Sequence, residues 1–183
     1  MRALCFASLL IAVPAFAQPA TPPPPCASAE HHQFDFWVGD WVVTNAADGK
    51  YVGQNRIDAV LGGCALHENW IGAKGGLGNS YNAFDTTRGM WHQTWVDASG
   101  GLLLLDGGFK DGKMVLEGEQ KQPDGKPMRN RIAWTPMPDG RVEQRWDSTV
   151  DGGKTWQLQF DGIYARRSAG GSGSGASLRR QDI

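Results

Sequence analysis

The chain has 183 residues, a formal charge of −1 and eight tryptophans, enough for one domain with a real core. The near-neutral charge, with no basic stripe beyond Arg166-Arg167 and Arg179-Arg180, excludes nucleic acid as an expected partner. Downstream of the N-terminus no segment is apolar enough to span a membrane.

Residues 1–17 read as a signal peptide. Arg2 supplies the positive start, Leu4 to Phe16 form an apolar run, and Ala15-Phe16-Ala17 is the small-x-small pattern cut by signal peptidase. The run is about 13 residues, too short for a membrane-spanning helix of roughly 20. Cleavage after Ala17 predicts a periplasmic or secreted protein. Residues 18–29, rich in Pro and Ala, read as a flexible arm. Residues 168–183, carrying Gly170-Gly171-Ser172-Gly173-Ser174-Gly175, read as a disordered tail. The folded domain is expected over 30–167.

Two cysteines, Cys26 and Cys64, survive cleavage. In an oxidising compartment an even pair bridges, and the bridge would close a loop of about 38 residues. The competing reading, a metal or reactive thiol pair, lacks a third or fourth soft ligand at metal-like spacing. Residues 29–37 read as one or two helical turns, with Glu30 and Asp35 favouring helix starts and Phe34, Phe36 and Trp37 as an apolar plug.

From residue 40 onward, turn signals recur every 8–12 residues or so: Asp48-Gly49, Gly72 to Gly78, Asp85 to Gly89, Asp97 to Gly101, Asp111-Gly112, Asp124-Gly125, Asp139-Gly140 and Asp151-Gly152-Gly153. The intervening stretches predict about ten strands, near 40–45, 51–60, 64–71, 79–85, 90–97, 101–107, 113–120, 128–136, 141–149 and 155–165. Sequential hairpins favour an all-β, antiparallel up-and-down barrel, because closure removes the edges; a two-sheet sandwich is the alternative. Leu102 to Leu105 reads as a strand buried on both faces. Thr149 to Trp156 resembles the Asp-box hairpin, a structural turn in which the Asp carboxylate accepts backbone N–H bonds and the Trp packs beneath.

The candidate chemistry lies in a repeated pair. Glu68-x-Trp70, Gln93-x-Trp95 and Gln144-x-Trp146 each put a polar group and a Trp on one strand face. If the three faces agree, they make an aromatic wall with a polar rim, as ligand pockets do. Tyr81 and Arg131 join them as candidates, Arg131 as an anion anchor. The competing reading is a filled core in which Gln and Glu satisfy buried Trp N–H groups. Glu68 is the one candidate catalytic residue, a carboxyl beside aromatics whose pKa burial would raise; a structural partnership with Arg131 or Arg56 is the plainer role. Asp97 reads as a turn stabiliser. His67 and His92 fall on the face opposite Glu68 and Gln93, and the His31-His32 pair beside the arm reads as exposed. No His/Glu spacing predicts a catalytic metal.

Phe36-Trp37-x-Gly39-x-Trp41, Gly62-Gly63-Cys64, Trp91-x-Gln93-x-Trp95-Val96-Asp97 and Asp151-Gly152-Gly153-x-Thr155-Trp156 with Phe160-Asp161-Gly162 form an ordered set. It resembles an exported bacterial family of lipocalin-like, calycin-type β-barrels of unknown function, over about residues 30–167. The resemblance implies roughly ten antiparallel strands around a cavity, with the Gly-x-Trp closing one end. Haem-binding barrels such as nitrobindins, distantly similar, ligate iron through a late histidine. No histidine follows His92, so haem is not carried over and no cofactor is expected. Fatty-acid carriers of this shape hold a carboxylate with arginine and tyrosine; Arg131 and Tyr164 are available, but no motif assigns them that role. Three functions therefore stand open: a carrier of a small hydrophobic or amphipathic molecule; a small-barrel isomerase, cyclase or dehydratase using Glu68; and a protein-interaction module with a filled core. Oligomeric state is not readable.

Overall fold

The computed structural model describes residues 24–168. The signal peptide, the first half of the arm (18–23) and all but the first residue of the tail lie outside the described residues.

Ten antiparallel strands close into an up-and-down barrel in which each pairs with its sequence neighbours and β1 pairs with β10. They are β1 Gly39–Asn45, β2 Tyr51–Val60, β3 Ala65–Gly72, β4 Leu77–Asp85, β5 Met90–Asp97, β6 Leu102–Lys110, β7 Lys113–Lys121, β8 Pro127–Pro136, β9 Val142–Thr149 and β10 Gln157–Arg166. The expected sandwich alternative is thereby excluded. Turn chemistry accounts for the connections. At the β6–β7 hairpin, Asp111 and Gly112 have φ of 51° and 80°, the paired positive values that a two-residue type I′ turn requires. The Asp-box reading holds: Asp151 accepts the Thr155 N–H at 3.0 Å and its hydroxyl at 2.6 Å.

Alternation sorts the side chains. Trp41 and Val43, Ile57, Leu66, Trp91, Leu103 and Leu105, Met114 and Leu116, Ile132 and Trp134, and Tyr164 point inward and are buried. Leu102 and Leu104 point the other way and are 53% and 48% exposed. The expectation of a doubly buried strand here is therefore corrected: only Leu103 and Leu105 reach the core, because this barrel wall has solvent behind it.

One end of the barrel is plugged. Residues 29–37 form two 3-10 turns, Ala29–His32 and Asp35–Trp37, as the helical expectation anticipated. Phe34 stacks on Trp37 (centroids 4.9 Å apart) and meets the edges of Trp91 and Trp134 at 5.7 and 5.2 Å. Trp41 donates its indole N–H to the Trp37 carbonyl at 2.9 Å, and the Arg166 guanidinium lies 4.5 Å over its ring. His31, expected in solvent, is instead buried edge-on against Phe84 at 5.3 Å. The Cys26–Cys64 disulfide, 38 residues apart in sequence, ties the chain leading into the plug to the β2–β3 connection. It pins the last part of the segment expected to be a free arm.

Candidate functional site

The opposite end is open. A cavity of about 300 Å³ descends from it toward the plug. All three repeated pairs line it: Glu68 and Trp70 from β3, Gln93 and Trp95 from β5, Gln144 and Trp146 from β9. The period of two along each strand, with one common register of closure, brings these odd-strand faces to the same interior. Trp134, Ile132, Leu103, Gln120, Gln159 and Phe160 complete the wall. A register shift in β10 between Leu158 and Phe160 swings Phe160 inward opposite Trp146 and leaves Gln159 as the extra residue at the mouth.

The aromatic walls lie on glycines. A Cβ at Gly53 would come within 2.6 Å of the Trp70 ring, one at Gly78 within 2.2 Å of Trp95, and one at Gly162 within 2.5 Å of Phe160. Each ring lies flat where an inward side chain is missing, which leaves the lumen open in front of it.

The floor is polar on one side. Glu68, 4% exposed, accepts hydrogen bonds from Asn55 Nδ2 at 2.7 Å and from Ser80 Oγ at 2.6 Å. Ser80 in turn accepts from Asn82 Nδ2 at 2.9 Å, and Asn82 Oδ1 accepts from Gln93 Nε2 at 2.7 Å. The donors thus run in one direction, from Gln93 through Asn82 and Ser80 to the carboxylate, and polarise one another along the chain. Tyr164 donates to Gln144. Burial pushes the Glu68 carboxyl up to about 7, opposed by the bonds from Ser80 and Asn55. Burial and the neighbouring Glu68 charge push the Tyr164 phenol well above its ordinary range. Leu103 from β6 and Ile132 from β8 make the other side apolar.

Two sequence candidates do not reach the cavity. Tyr81 is 57% exposed and stacks on His67 at 4.8 Å on the outer face, because it pairs across the ladder with His67 and Thr94 rather than with Glu68. Arg131 also faces out, its guanidinium 4.0 Å over the Trp156 ring of the Asp-box. Neither Arg131 nor Arg56 holds Glu68; Arg56 pairs with Asp58 outside at 2.9 Å. His67 and His92 face outward, His92 bonded to Asp106 at 2.8 Å. Asp97 does stabilise its turn, accepting Ser99 N–H at 2.8 Å and Gly101 N–H at 3.0 Å, yet it also borders the cavity mouth.

Reading strands pair by pair missed Trp134, Phe160, Asn55 and Ser80. A signal for the last two was present. Gly53-x-Asn55 and Gly78-x-Ser80 each set a polar residue two positions after an inward glycine, on the strand beside a Trp-bearing one.

Fold and site together define a closed ten-strand antiparallel barrel, plugged at one end, with an aromatic-walled, carboxyl-floored cavity at the other. No protein-family profile matches the chain, and no curated protein matches it either.

Proposed function

We propose that this is an exported, calycin-type barrel that holds a small, largely apolar molecule in its lumen, in the periplasm or outside the cell. The carrying observation is the convergence of all three Glu/Gln-x-Trp pairs on one cavity open at one end. A core built only for stability would fill that space at native packing density. Its volume sits at the small end of ligand pockets, and apolar walls with few polar groups are their usual lining. The Gly39-x-Trp41 opening, with Trp41 buried at the plugged end, supports the calycin assignment.

Titration with the neutral probe N-phenyl-1-naphthylamine tests the reading. Saturable quenching of tryptophan emission is expected in the wild type. Trp95→Phe and Trp146→Phe are each expected to weaken affinity about 3–10-fold, the scale of one aromatic contact. A probe response unchanged by both substitutions would place binding elsewhere.

A second reading, proton-transfer catalysis by Glu68, is favoured by one observation: the carboxyl borders the cavity with its pKa pushed up to about 7, where an acid–base catalyst works best. Native mass spectrometry of protein purified from its own host separates the two. A single bound species supports a carrier. A pair of dehydration-related masses, or two isomers resolved by chromatography of the released ligand, that collapses to one species in Glu68→Gln supports the enzyme.

A further inference from the structure

We propose that the lumen selects an organic cation, an alkylammonium group lodged among the tryptophans and facing the Glu68 carboxylate. This deepens the lumen-binding reading and rests on it.

The charge of the lining is one-sided. Among the described residues that border the cavity there is no Lys, Arg or His, while Glu68 stands at the floor and Asp97 at the mouth. The arginine that would make this a carboxylate site, Arg131, is spent on the outer face against Trp156. A fatty acid or other anion would therefore enter a pocket with two acidic groups and no counter-charge.

Glu68 also lacks a charged partner. None of the ion pairs among the described residues includes it. Its two oxygens are held by neutral donors only, Asn55 and Ser80, and each oxygen keeps a lone pair beyond those bonds. Beside it, the buried Asn55 Oδ1 has no donor at all. A buried carboxylate without an ion pair is costly. A ligand carrying positive charge supplies the missing partner.

The walls suit the same ligand. Trp70, Trp95, Trp134, Trp146 and Phe160 border one space of about 300 Å³, and clustered aromatic faces are how proteins hold quaternary and alkylated ammonium groups. At the mouth, the Ser99 hydroxyl and the backbone N–H groups of Gly101 and Ser99 hold the Asp97 carboxyl below its ordinary range, so it stays ionised and attracts a cation toward the opening. The lining fits an aryl-bearing amine or quaternary ammonium.

Three probes of one shape and different charge test this by calorimetry at pH 8: benzyltrimethylammonium, its neutral isostere neopentylbenzene, and benzylsulfonate. The cation is expected to bind at least tenfold tighter than the isostere, with the sulfonate not binding. Glu68→Gln should erase that preference. Should this variant fail to fold, the wild type carries the same test: cation affinity falls as pH drops from 8 to 6 while neopentylbenzene affinity does not. The groups facing Glu68 from its neighbours, Asn55 on β2, Ser80 on β4, Gln93 on β5 and Gln144 on β9, do not titrate there, and the Tyr164 phenol on β10 remains protonated. Neopentylbenzene binding as tightly as the cation, or a preference for the sulfonate, overturns charge selection and leaves lumen binding standing. If none of the three binds and N-phenyl-1-naphthylamine also leaves the tryptophan emission unchanged, both readings fall.

Discussion

At the scale of single residues, Glu68 sets the electrostatics of the lumen. It sits where water does not solvate it and where only neutral donors reach it. Its folded pKa of about 7 lies above the ordinary 4.5, so between those values the folded chain binds a proton that the unfolded chain has released. Stability then falls as pH rises through that window, and levels off above about 7. The full change is about 3 kcal/mol. Urea unfolding of wild type and Glu68→Gln, repeated from pH 4.5 to 8, checks it. The variant resembles the protonated acid, so the two midpoints should agree near pH 4.5 and separate as pH rises, with the wild type the less stable. Parallel curves would mean that the carboxyl is more solvated than its surroundings suggest.

At the scale of strands, the lumen is shaped by what neighbouring strands omit. Trp95 lies against Gly78 of β4 and Trp70 against Gly53 of β2, a large-against-small alternation that lets a narrow barrel keep an opening. Gly78→Ala sets a methyl 2.2 Å from the Trp95 ring. The indole must then tip into the cavity, at a cost of about 1–3 kcal/mol of overpacking and with weaker N-phenyl-1-naphthylamine binding. Gly108→Ala, where nothing lies within 4 Å of the added carbon, should change neither and serves as the control. The strands themselves were readable beforehand because Asp-Gly turns punctuate them and alternation marks their faces. Within the site, the three polar-x-Trp pairs were readable for the same reason: residues two apart share a face whatever the partner strand does. Tyr81 and Arg131 were misplaced because a lone residue carries no such internal check. Its face depends on ladder register, here Tyr81 with His67 and Arg131 with Asp147. Phe160 was hidden by the β10 register shift, which no local pattern announces. The donor chain from Gln93 to Glu68 was equally invisible, since it joins side chains from three strands.

At the scale of the whole molecule, the barrel is built in tiers, from aromatic plug to polar floor to open lumen. The plug is held by Phe34 packing and by the Cys26–Cys64 bridge. Replacing both cysteines with Ala frees a 38-residue loop in the unfolded chain and should cost about 4 kcal/mol, read from the urea midpoint. The bridge lies at the end away from the cavity. Probe affinity of the folded variant should therefore match the wild type, and a large loss of affinity would show that plug and lumen are mechanically coupled.

The chain enters and leaves the barrel on one side. Gly39 opens β1 at the plugged end, and Arg166 closes β10 beside Trp41 at that same end, with Arg167 N–H bonded to the Asp40 carbonyl. A bead, a fusion partner or a surface attached at either end of the described residues, near Cys26 or Arg167, would thus hold the barrel from behind and leave its mouth facing bulk solvent, free to load and unload.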